Sequence, residues 1–152
     1  MRYNGRVPPE SPVLRTALFA ELTPFEVYAL CRLRVDVFVV EQECPYPELD
    51  GRDLLPTTTH LWWQPADELE GYLRLLVDED GTHRIGRVCT SLAARGSGLG
   101  ARLMAAAMTR IGDEAAVLEA QTYALDFYAR FGFTPEGDRY LEDGIEHQTM
   151  RR

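Results

Sequence analysis

The sequence predicts a mixed α/β fold, a sheet layered with helices on its faces. Short β-rich runs alternate with helical patterns along the chain, as layered sheets require. A strongly signalled helix start stands at Thr23, and a β-type run passes at Arg95 into a glycine-rich loop that opens directly into a second helix. No internal repeat or linker divides the 152 residues, so a single domain spanning 1–152 is expected.

Taken in order, residues before about Ser11 are polar and proline-bearing and predict a loose arm covering 1–11. Residues 13–20 read as a first strand. Thr23 as N-cap, Pro24 at N1 and Glu26 at N3 form a capping box, so a helix is expected over 24–35 with Phe25 and Tyr28 facing the core. Residues 35–40 are β-branched and fit either a last helical turn or extended chain. Two prolines after Cys44, then Asp50-Gly51 and Leu55-Pro56, make 44–59 a loop. Strands follow at 60–64, 71–77 and 84–90, the first two joined by an acidic turn around Asp67 and the last two by a turn at 78–81. A helix over 98–111 places Leu99, Leu103, Met104, Ala107, Met108 and Ile111 on one stripe, with Gly112 as stop. A strand at 117–121, a helix ending near Phe131 before Gly132, and two late strands complete the chain.

Composition is that of a soluble globule, 45% hydrophobic and 26% charged. No apolar run approaches ~20 residues and no signal-peptide core is present, so neither a membrane partner nor export is expected and the cytoplasm is the expected compartment. The net charge of −8 argues against nucleic acid as a partner, because phosphate contacts need a basic surface. Cys31, Cys44 and Cys89 lack metal-ligand spacing, as do His60, His83 and His147, so buried thiols and no metal are expected.

The junction Arg95-Gly96-Ser97-Gly98-Leu99-Gly100-Ala101 carries the first chemical signal. Glycines at a helix start admit a ligand close to the backbone, and the unpaired N–H groups of the first turn attract an anion, most often phosphate. A Walker loop is excluded because Ala101-Arg102 follows Gly100. A dinucleotide fingerprint fits as Gly96, Gly98 and Ala101, but the residues remaining after it are too few for that fold.

Read as Arg95-x-x-Gly98-x-Gly100, the loop resembles the pyrophosphate loop of the GNAT superfamily of acetyltransferases. Tyr128-Ala-Arg-Phe-Gly-Phe133 is similar to the Y-x-x-x-G-F that ends that superfamily's next helix. The stretches 38–51 and 140–150 resemble its ElaA-like branch. These matches are in register from about Tyr28 to Met150 and imply a GNAT fold: a mostly antiparallel sheet of six to seven strands with about four helices. They further imply acetyl-CoA as cosubstrate, bound through Val88, Cys89, Thr90 and the loop 95–101, with Gln121, Phe127 and Tyr128 on the cofactor side. Many members end the strand at 117–121 with asparagine, where Gln121-Thr122 stands here.

The resemblance implies that the partner is a primary amine on a small molecule or peptide, attacking the thioester directly, with Tyr128 protonating the leaving thiolate. Cys89 is expected to be a core side chain rather than an acyl carrier. A homodimer counts among the expected assemblies. An amine of pKa ~10.4 is almost wholly protonated at neutral pH, so a base is useful. Glu41, Glu43, Asp50, Asp53, Glu119 and His147 are the candidates. Glu41 stands out because it ends an apolar run where its pKa could rise, and Glu119 because it lies inside a strand. Glu48 and Asp53 read as a solvated face and Arg74 as a paired structural residue, while His60 and Arg87 fit either a paired structural role or a substrate clamp. Two alternatives share the scaffold: a non-catalytic acyl-CoA-binding sensor and an acyl-homoserine-lactone-type synthase. The latter is suggested by residues 37–42 but lacks a basic docking surface.

Overall fold

The computed structural model describes residues 14–152, so the expected arm and the start of the first strand lie outside the described residues. Seven strands form one sheet: β1 (Leu14–Leu18), β2 (Thr59–Trp63), β3 (Gly71–Val77), β4 (His83–Thr90), β5 (Ala116–Gln121), β6 (Thr134–Glu142) and β7 (Ile145–Arg151), in spatial order β1-β2-β3-β4-β5-β7-β6. Every neighbouring pair is antiparallel except β4 and β5. Three α-helices accompany the sheet among the described residues, α1 (Pro24–Val35), α2 (Leu99–Ile111) and α3 (Leu125–Ala129), one fewer than expected.

Both faces of the central strands are buried, and alternation divides their side chains between two cores. Leu61, Leu73, Leu75 and Ile85 meet Leu99, Leu103, Met104, Ala107 and Ile111 of α2 on one face. Trp62, Tyr72 and Cys89 meet Leu30, Leu33 and Val37 on the other. Gly71 permits the close seating of α2: a Cβ there would lie 2.8 Å from the Leu99 side chain.

The start of α1 forms as its sequence dictates. The Thr23 hydroxyl accepts from Glu26 N at 3.2 Å and the Glu26 carboxylate accepts from Thr23 N at 2.8 Å. Its buried stripe is Leu30, Leu33, Arg34 and Val37, not Phe25 and Tyr28, which are 87% and 72% exposed. At 3.6 residues per turn both aromatics sit about 140–160° round the helix from Leu30. An arginine inside the buried stripe hid that phase from a hydropathy reading. The ambiguous stretch after α1 continues as π-helix over Asp36–Glu41, a geometry common at functional sites.

Candidate active site

Two irregularities in β4 create the site. Tyr72 pairs with Cys89 and Arg74 with Gly86, so Leu73 of β3 faces both Arg87 and Val88, and Arg87 takes φ +54°. This bulge bends the strand and re-aims its side chains. Beyond it, β4 loses its neighbour: parallel pairing with β5 covers only His83, Arg84 and Ile85 against Ala116, Val117 and Leu118. Glu119, Ala120 and Gln121 pair with β7 alone. The sheet therefore opens between Gly86–Thr90 of β4 and the end of β5.

A cleft of about 500 Å³ fills that opening. Gly86, Arg87 and Val88 form one wall, and Glu119, Gln121 and Tyr128 the other. Phe38 and Gln42 approach from the π-helical end of α1, and His147 from β7. The Gln42 and Gln121 side-chain amides pair reciprocally across the gap, at 3.2 and 3.5 Å.

The far end of β4 leads into the glycine loop. Thr90, Arg95, Gly96, Gly98, Leu99, Gly100 and Ala101 line a second, smaller hollow with Phe127 and Arg130. Gly96 and Gly98 both have φ +79°, a conformation in which other residues are strained, and a Cβ on either would meet nothing within 4 Å. Gly98 caps α2, and the first helical bond runs from Arg102 N to Gly98 O. The N–H groups of Leu99, Gly100 and Ala101 thus have no partner within the helix, at the positive end of its dipole. The Ser97 hydroxyl is turned away from this cradle, donating to Ala94 O at 2.6 Å. α3 separates hollow and cleft: Phe127 lies beneath Gly100, where a Cβ would touch its ring at 3.5 Å, while Tyr128 lines the cleft.

Burial pushes the Tyr128 phenol well above its ordinary range, so it keeps its proton at neutral pH. Burial also pushes the Cys89 thiol up, and its side chain packs in the core with Tyr72 and Trp62 as expected of a core residue.

Both carboxylates singled out from the sequence are engaged. Glu41 is ion-paired with Arg95, whose Nη2 lies 2.8 Å from Oε2, and this bond holds its pKa below the usual range rather than raising it. Its side chain is 40% exposed, so the apolar run before it does not desolvate it. Arg95 also donates to Thr90 O at 3.2 Å. Glu119 accepts from Tyr140 and Thr149 hydroxyls at 2.6 Å each and from Arg84 at 3.1 Å. Glu43 is exposed, with φ +51°.

The acidic loop reverses its expectation. Glu48 and Asp53 are 3% and 9% exposed, not solvated. Arg34 reaches Glu48 at 2.8 Å and Asp53 at 2.7 Å, while Arg74 reaches Asp50 at 2.8 Å and Asp53 at 3.1 Å. Arg87 reaches Glu48 at 2.9 Å and Asp50 at 3.4 Å. Charged groups are buried only when paired, and here three arginines pair three carboxylates. Burial by itself would raise the Asp50 carboxyl, but the hydrogen bonds and charge of Arg74 outweigh it and hold it well below the carboxylate range. Arg34 does the same for Asp53. Arg74 and Arg87 are structural partners in this network, and Arg87 is thereby pinned at the bulge. His60 is a paired structural residue: its Nε2–H donates to Asp53 O at 3.2 Å and its Nδ1 accepts from the Tyr72 hydroxyl at 2.7 Å. Among the described residues no group of three or more His, Cys, Asp or Glu is arranged to hold a metal ion.

Arg130, stacked over Phe127 at 5.2 Å, and the bulge at Arg87 escaped the sequence reading. Arg130 lies inside the very Y-x-x-x-G-F stretch whose ends were recognised, and its pattern position could have marked it. No comparable signal exists for the bulge.

The fold recurs in known proteins. The family model described as acetyltransferase (GNAT) domain matches residues 34–152. A UPF0039 protein of Mycobacterium tuberculosis is 47% identical over 143 residues, covering 91% of this chain and 92% of the relative. The crystal structure of an acyl-CoA N-acyltransferase from Pseudomonas aeruginosa superposes with TM-score 0.88 at 45% identity, covering 93% of this chain and 99% of that one. Escherichia coli ElaA superposes with TM-score 0.86 at 38% identity, over 93% and 99% of the two chains.

Proposed function

Because the chain belongs to the GNAT acetyltransferase family and its ElaA-like branch, we propose that it transfers acetyl from acetyl-CoA to a primary amine of a small molecule or peptide. One observation carries this reading: β4 runs from the open cleft to the amide cradle at the start of α2, so a ligand laid along its unpaired edge spans both. The cradle takes the diphosphate through N–H groups of residues 96–101, with the Arg95 charge beside it. Main-chain groups of Val88, Cys89 and Thr90 hold the pantetheine arm as a strand neighbour would, while Gln121 and Phe127 flank it. The thioester then reaches the cleft beside Tyr128.

Acetyl-CoA supplies the activated acyl group, and the protein's residues supply position and protons. The amine attacks the carbonyl carbon, the C–S bond breaks toward sulfur, and the Tyr128 O–H protonates the thiolate. Tyr128 suits this role because its burial keeps it protonated. Glu119, bonded to Arg84, Tyr140 and Thr149, braces the cleft wall, and Glu41 holds Arg95 beside the glycine loop.

A thiol-release assay over polyamines, amino sugars and lysine peptides, run beside a thermal-shift titration with acetyl-CoA, tests the proposal. A raised melting temperature together with thiol release for one class of amine is the expected outcome. A shift without release for any amine favours a sensor on the same scaffold, and no shift removes the reading altogether.

A further inference from the structure

The wall of the cleft opposite β4 carries an imidazole whose surroundings settle which nitrogen can take a proton. His147 of β7 stands directly across from Gln121 of β5 and from Tyr140 of β6. Residues opposite one another in antiparallel strands share a face, so His147, Gln121, Tyr140, Glu119 and Thr149 project together from one side of the sheet. His147 and Gln121 both line the cleft, as does Tyr128.

The ring is fixed in two ways. Tyr140 stacks on it with centroids 5.8 Å apart and planes 19° off parallel. Its Nδ1 lies 2.7 Å from the carbonyl oxygen of Ile145. A carbonyl can only accept, so Nδ1 carries a proton, and in the neutral ring Nε2 holds the free lone pair. Among the described residues nothing hydrogen-bonds to Nε2. This is the arrangement by which a backbone carbonyl sets a histidine tautomer for proton transfer.

We propose that His147 is the general base of the reaction, accepting at Nε2 the proton that the acceptor amine must lose. The inference rests on the acyltransfer reading above. The nitrogen lone pair forms the N–C bond to the acetyl carbon, and the C–S electron pair leaves with sulfur. The departing N–H proton goes to His147 Nε2 while the Tyr128 proton goes to the thiolate. Release of the imidazolium proton and reprotonation of the phenolate return both side chains to their starting forms.

The other ionisable groups around the ring are poorly placed to substitute for it. Glu119 from β5 is held by Arg84, Tyr140 and Thr149. Glu142 and Asp143 stand at the β6–β7 turn on the cleft rim, and both are exposed. Tyr123 and Tyr128 line the cleft from the segment after β5, and burial keeps Tyr128 a phenol. Tyr140, on the ring itself, is pushed up by burial and by its bond to Glu119 and stays a phenol.

The experiment compares wild type with His147→Gln across pH for the amine found by the thiol-release panel. In the wild type, log kcat/KM carries an acidic limb, because protonation at Nε2 removes the lone pair that takes the amine's proton. In His147→Gln that limb disappears, kcat/KM falls on the order of 10²-fold, acetyl-CoA KM is unchanged, and added imidazole restores part of the rate to His147→Ala. Independently of any variant, nitrogen chemical shifts of the wild-type ring near pH 8 show the proton on Nδ1. A His147→Gln enzyme that keeps both limb and turnover, or a wild-type ring protonated on Nε2 alone, overturns the assignment. Failure of the acyltransfer reading shows differently, as absence of thiol release by the wild type.

Discussion

Tyr128 and Cys89 pack with different cores of the sheet, and burial treats them alike by suppressing ionisation. For the thiol this disfavours the thiolate; for the phenol it retains the proton that the proposed function uses. Tyr128→Phe keeps the ring packing against Phe127, 5.0 Å away between centroids, and removes only the hydroxyl. Its acetyl-CoA thermal shift is expected to persist while turnover falls on the order of 10²-fold. Unchanged turnover in a steady-state assay removes the proton-donor role. At this scale the sequence was informative where a residue sat in a local motif, as with Tyr128 and the glycines. It was silent where the partner was remote. Glu48 and Asp53 read as solvated because their arginines come from α1, β3 and β4, and only folding brings these 14 to 39 positions together.

Helix α2 and its glycine lead-in form the element to which the proposed function assigns acetyl-CoA binding. A β-branched residue at position 98 must adopt φ near +79°, at a cost of roughly 1–2 kcal/mol, and its side chain takes up open space at the helix start to which the proposal assigns the diphosphate. Gly98→Val is expected to abolish the acetyl-CoA thermal shift while lowering the unliganded melting temperature by only a few degrees. A retained shift would place the diphosphate elsewhere. Elements with local signals were legible from the chain: α1, β3 and the α2 stripe stand where caps and periodicity put them. The π-helical end of α1, the bulge in β4 and the parting of β4 from β5 were not. Each depends on which strand lies alongside, and a strand's own pattern does not report a missing neighbour.

For the whole molecule, the buried network ties the 44–59 loop to both α1 and the sheet, and it couples stability to pH. Asp50 and Asp53 have folded pKa values below their ordinary range, so their contribution is present above about pH 4 and is lost as pH falls below it. Burial lowers the folded pKa of His60, so the unfolded chain binds a proton below about pH 6.5 that the folded chain resists. Both effects have the same sign. Urea midpoints are expected to be level above pH ~7, to decline toward pH ~4.5 and to drop steeply below pH ~4; a midpoint flat from pH 7 to 4 contradicts the network's role. A different consequence follows from the outermost strand. β6 carries Pro135, Gly137 at φ +73° and a broken register between Glu136 and Tyr140, with Glu136, Asp138, Arg139 and Glu142 along it. A margin so kinked and charged is a poor template for strand addition, so at high concentration this edge of the sheet resists being stitched to another molecule.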